Sequence, residues 1–120
     1  MAHKILSVCY QECLSVSIIE LLENAGYMMT CTREVGAALQ LLRSHPFDLI
    51  LINQSVSERE EHLFVRLVRE NTQVPIIFVS GEVQNAPEGV NVWLRPPIQG
   101  PQLLSHIERL LPRSSSQSAP

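Results

Sequence analysis

The sequence predicts an α/β protein: a doubly wound, five-stranded parallel sheet with helices on both faces. Three observations carry that prediction. Short apolar runs alternate with helical stripes from end to end, the pattern of linked strand–helix–strand units. The run "DLILI" (48–52) is continuously apolar after its first residue, as a central parallel strand covered on both faces must be. The chain has 120 residues, 45% apolar and 18% charged, enough to bury one proper core and no more.

The elements follow in order. "KILSVCY" (4–10) reads as the first strand. Leu14, Ile18, Leu21, Leu22 and Ala25 then form a helical stripe that stops at Gly26, a residue suited to the position just past a helix. "YMMTCT" (27–32) is a second strand, and Val35, Ala38, Leu39 and Leu42 mark a second helix ended by "HP" at 45–46. After the central strand, Ser57 and Glu60 have capping-box spacing and open a third helix carrying Leu63, Phe64, Leu67 and Val68.

"VPIIFVS" (74–80) and "VNVWL" (90–94) complete the strands. Gly100 and Pro101 suit a helix start, with Leu103, Leu104, Ile107, Leu110 and Leu111 as its stripe. Between Ser80 and Gly89 stands only "GEVQNAPE", two strong helix breakers included. A parallel crossover usually takes a dozen residues and a helix, so a loop or a single turn is expected there. Residues 1–112 are thus expected to form one domain, and the Ser-rich 113–120 a disordered tail or the start of a linker, because it has nothing to bury.

Composition excludes several functions. A net charge of −3 and scattered basic residues give no footprint for nucleic acid phosphates. No apolar run approaches the ~20 residues needed to span a bilayer, and the N-terminus lacks the features of a secretion signal. Three cysteines, Cys9, Cys13 and Cys31, make an odd count without framework spacing, which fits a reducing, cytoplasmic setting. With four histidines dispersed at 3, 45, 62 and 106, they form no metal-ligand spacing, and no cofactor is expected.

In such a sheet, function gathers where loops leave the carboxyl ends of the strands: Cys9 and Tyr10, Asn53, Ser80, and Leu94 to Pro97. "ELLENAGY", "ALQLLRSHPFDLILI", "VPIIFVS" and "GVNVWLRPPI" stand there in an order and spacing that resemble the CheY-like receiver domain of response regulators, the phosphate-accepting module of two-component signalling. The resemblance covers residues 4 to 111. It implies a flavodoxin-like sheet of strand order 2-1-3-4-5, and the short "GEVQNAPE" segment departs from the family in leaving its fourth helix missing or cut to one turn.

The resemblance also places the family's functional positions, and most are altered. The acidic pair that holds magnesium falls on Cys9 and Tyr10, and the phosphate-accepting aspartate falls on Asn53. The strand-end hydroxyl is kept as Ser80. The lysine falls on Pro96, with the proline after it kept as Pro97. Arg95 is one position off and by strand alternation points the other way. The aromatic that switches orientation in the family falls on Trp93.

Phosphoryl transfer needs an anionic nucleophile and a metal to neutralise charge. A neutral amide cannot form an acyl phosphate, and a thiol, a phenol and an amide are poor magnesium ligands. The expectation is a pseudo-receiver, not an enzyme, that binds protein partners or its own copy independently of phosphorylation. Trp93 and Arg95 mark the candidate surface, because loss of the family's fourth helix should uncover part of the fourth and fifth strands. The alternative is a small-molecule or redox sensor using the pocket around Cys9, Tyr10, Asn53 and Ser80. Neither Cys9 nor Cys13 is followed six residues later by the arginine of a cysteine phosphatase loop; Ser15 and Ile19 stand there.

Overall fold

The computed structural model describes residues 3–9, 15–53, 58–81 and 88–111. Nine elements follow one another: β1 (Lys4–Cys9), α1 (Val16–Asn24), β2 (Met28–Thr32), α2 (Val35–Ser44), β3 (Leu49–Asn53), α3 (Glu58–Asn71), β4 (Ile76–Val79), β5 (Val92–Leu94) and α4 (Gly100–Leu110). All strand pairs are parallel, in the order β2-β1-β3-β4-β5. The strands are a little shorter than the apolar runs suggested. β3 is shifted by one residue, so that Asn53 is its last residue instead of the first residue after it.

Strand alternation sorts the buried side chains into two layers. Ile5, Leu49, Leu51, Ile77 and Val79 meet Leu22 of α1 and Leu103 and Ile107 of α4. Leu6, Val8, Ile50, Ile52, Ile76 and Phe78 meet Ala38 of α2 and Phe64, Val65 and Val68 of α3. The sheet is therefore covered on both faces, which is why β3 reads as an unbroken apolar run.

Local chemistry sets the ends of the elements. The Ser15 hydroxyl accepts from the Ile18 amide at 3.3 Å and caps α1. Gly26 adopts a φ of 101° just past α1, where the Gly26 and Tyr27 amides close on the Glu23 and Leu22 carbonyls. Asp48 fixes the opening of β1 and β3: its Oδ2 accepts the Lys4 amide at 2.7 Å, and its own amide donates to the Lys4 carbonyl at 2.7 Å. Its carboxylate serves strand pairing at the end of the sheet remote from the candidate pocket.

Four helices pack around the sheet, and among the described residues none lies between β4 and β5. The expected uncovering of the fourth strand does not occur. All four residues of β4 are fully buried, and β5 beside it is half-exposed. Phe64, Val65 and Val68 of α3, with the partly buried Val90 and Trp93, share one core cluster with Ile76 and Phe78. The expected capping box at Ser57, the loop at 82–87 and the tail at 113–120 lie outside the described residues.

Candidate functional site at the carboxyl edge of the sheet

The sheet register brings the sequence-derived positions together. Cys9 and Asn53, the last residues of β1 and β3, are direct partners across the two strands. Asn53 is in turn the partner of Val79, so Ser80 is the next residue along β4. The Ser80 amide donates to the Leu94 carbonyl at 3.1 Å, which carries the same edge across to β5. Pro96 also belongs to this edge: a Cβ on Gly81 would lie 3.6 Å from Pro96 Cδ. The Pro96–Pro97 peptide is cis. Tyr10 lies outside the described residues.

Among the described residues, this edge offers neutral groups. Cys9 and Ser80 are buried and Asn53 is half-buried. Among the described residues, no three His, Cys, Asp or Glu side chains are grouped to hold a metal ion. Cys9 is disulfide-bonded, whereas Cys31 on β2 is an exposed free thiol. The disulfide departs from the expectation of small apolar thiols in a reducing setting. The Cys9 Sγ sits 3.8 Å from the Thr32 carbonyl, within the β1–β2 seam.

Trp93 is tied to the same edge. Its indole N–H donates to the Ser80 carbonyl at 3.0 Å, and its ring packs on the α2–α3 layer beside Phe78, its partner in β4. Arg95 shares Trp93's side of the strand, and its guanidinium carbon lies 4.6 Å from the ring centroid. The arginine thus caps the aromatic. Pro96, with no amide proton, follows immediately.

One group of polar residues escaped the sequence reading. Arg69 on α3 donates through Nε to the Gly89 carbonyl at 2.8 Å, and through Nη1 to the Val74 carbonyl at 2.6 Å and the Thr72 carbonyl at 3.4 Å. Its Nη2 donates to Asn91 Oδ1 at 3.0 Å, and that oxygen also accepts the Ile76 amide at 2.9 Å. Burial lowers the guanidinium's pKa from its ordinary value. One side chain therefore ties α3, the start of β4 and the start of β5 together, where a crossover helix is absent from the described residues. An open cleft of about 940 Å³ borders this clamp, lined by His62, Leu63, Arg66, Arg69, Glu88 and Gly89. No sequence motif marks such a clamp, because its acceptors are main-chain carbonyls.

No protein-family profile matches the chain, and no curated protein matches it. Solved structures do. A chemotaxis response regulator of Vibrio cholerae is 25% identical with a TM-score of 0.72, over 92% of this chain and 100% of that one. A two-component response regulator of Clostridium difficile is 19% identical with a TM-score of 0.77, over 92% and 97%. The receiver domain of a Pseudomonas aeruginosa sensor histidine kinase, which has magnesium coordinated in its active-site cleft, is 22% identical with a TM-score of 0.74, over 92% and 98%. The chain thus has the CheY-like receiver fold.

Proposed function

We propose that the chain is a receiver-type signalling domain that works without phosphorylation and acts by binding protein partners. The observation that carries this reading is the Cys9–Asn53 pair: a buried, disulfide-bonded cysteine and an asparagine are register partners on the two strands that end at the candidate pocket. Neither group can accept a phosphoryl group as a carboxylate does, and neither is a hard anionic oxygen for magnesium. With the described strand ends neutral, a lysine aimed at them would find no carboxylate partner among the described residues, and Pro96 stands in that position.

The surface that remains for partners is the half-exposed β5 edge, where Trp93 and Arg95 form one unit. Aromatic and arginine side chains are the types that most often anchor protein interfaces. Trp93 is the single tryptophan of the chain and bonds to Ser80 at the pocket, so its fluorescence reports on both places.

The deciding experiment adds magnesium with acetyl phosphate or beryllofluoride to the protein and follows Trp93 emission and intact mass. The reading requires no spectral change and no phosphoryl adduct. Quenching with adduct formation overturns it. The partner half is tested by carrying Arg95→Glu into binding measurements with proteins recovered on the parent domain. Binding that survives unchanged removes the Trp93–Arg95 surface from the proposal.

The Cys9 disulfide favours a second reading, a redox-responsive pocket. If a dithiol reductant releases the Cys9 thiol while the fold holds and changes Trp93 emission, that reading gains; if Cys9 resists reduction until unfolding, the disulfide is structural.

A further inference from the structure

The two edges of the sheet are treated differently. β5 is three residues long, Arg95 lies over Trp93 beside it, and the next two residues are prolines. Short length, charge and proline are the usual means of blunting a sheet edge. β2, the other edge, has none of them. It is five residues long with the sequence MMTCT, and no charged residue occurs from Asn24 to Thr32. Met28 is 55% exposed, and Thr30 and Cys31 are exposed as well.

The main-chain groups on that edge follow from the register. The Met28 amide donates to the His3 carbonyl at 2.9 Å, so the amides and carbonyls of Met28, Thr30 and Thr32 point toward β1. Those of Met29 and Cys31, the alternate residues, point away from the sheet. Among the described residues, no hydrogen bond to these outward groups is present.

We propose that β2 is a self-association edge, at which two copies of this chain pair their β2 strands antiparallel about a two-fold axis through Thr30. In that register Met29 of one copy lies opposite Cys31 of the other, twice. The two outward amides and two outward carbonyls of each strand close four main-chain hydrogen bonds. Thr30 faces its own counterpart at the closely spaced, non-bonded position. A second copy is the occupant that fits, because the register uses all the outward groups of both strands, and an uncharged strand meets no repulsion from itself. The pairing would join the sheets of the two copies into one ten-stranded sheet and leave Trp93 and Arg95 at its far ends, free for other partners.

The test compares amide hydrogen exchange and sedimentation on the parent chain from dilute to concentrated solution. The expected result is a concentration-dependent dimer in which the Met29 and Cys31 amides gain protection, while the Met28 and Thr30 amides are protected throughout. A monomer at all concentrations overturns the proposal, and so does a dimer whose Met29 and Cys31 amides stay unprotected. The variant Thr30→Lys sets two like charges opposite each other on an exposed position and should abolish the dimer. A Thr30→Lys chain that still folds and still dimerises like the parent overturns it also. Should that variant fail to fold, the exchange pattern of the parent decides alone. Phosphorylation and Arg95 binding assays are independent of this edge, so the proposed function and the β2 pairing fail separately.

Discussion

The Trp93 indole N–H donates to the Ser80 carbonyl at 3.0 Å, fixing the aromatic of β5 to the residue just past β4. The bond spans the point where the β4–β5 crossover leaves the sheet. Trp93→Phe keeps most of the ring and removes the donor, so it should lower stability by about 1 kcal/mol. Arg95→Ala should cost about 0.5 kcal/mol, since the stacked guanidinium is exposed. Urea unfolding with an unchanged denaturant slope measures both. A Trp93→Phe variant as stable as the parent would mean that the bond has no net weight.

The Arg69 clamp gives a sharper prediction. Gly89 has a φ of 96°, and a Cβ there would meet Arg69 Cγ at 3.0 Å. Gly89→Ala thus combines backbone strain with a displaced clamp and should destabilise by about 2–3 kcal/mol. Arg69→Met keeps the aliphatic stem but leaves the Val74 and Gly89 carbonyls without this donor, at a cost of about 2 kcal/mol. Because both changes break the same contact, the double variant should lose less than the sum of the two. Strict additivity in a double-mutant cycle would show that Gly89 and Arg69 act separately.

How far such features were legible depends on whether they lie in side-chain periodicity or in main-chain acceptors. The five strands and four helices were readable because burial on one or two faces forces the apolar pattern. The candidate edge was readable because the ends of β1, β3, β4 and β5 each bring a sequence-marked residue to the sheet's carboxyl side. Cys9 facing Asn53 follows from the parallel register alone. The full burial of β4 was not foreseen, since the short 81–88 segment argued for an uncovered strand and gave no sign of the packing of Val90 and Trp93 against α3's core layer. The Arg69 clamp was invisible for a related reason: carbonyl acceptors carry no residue signature. The Cys9 disulfide also escaped, because an odd count of cysteines without framework spacing argued for thiols.

Ser15 supplies a third prediction. Its hydroxyl serves an amide at the open N-terminus of α1, which buries only Leu22 fully and so has little packing in reserve. Ser15→Ala should cost about 1 kcal/mol, and Ser15→Asp should recover most of it. Equal losses in both variants would show that the hydroxyl's hydrogen bond is not what stabilises this end.

The Cys31 thiol has its pKa raised above the ordinary value, first by burial of part of the side chain and further by the carboxylate of Glu23, against a lowering contribution from the Ser7 hydroxyl. The neutral thiol is therefore the form that the fold favours. Its contribution to stability is complete below the unfolded-state pKa and is lost as pH rises through the higher folded-state value. On dilute protein, the alkylation rate of Cys31 should rise with a midpoint above the ~8.5 of a free cysteine. Glu23→Gln should move that midpoint down, read by peptide mapping of the labelled site. A Cys31 midpoint at or below that of a free cysteine would mean that the strand edge is more open to water than the fold places it.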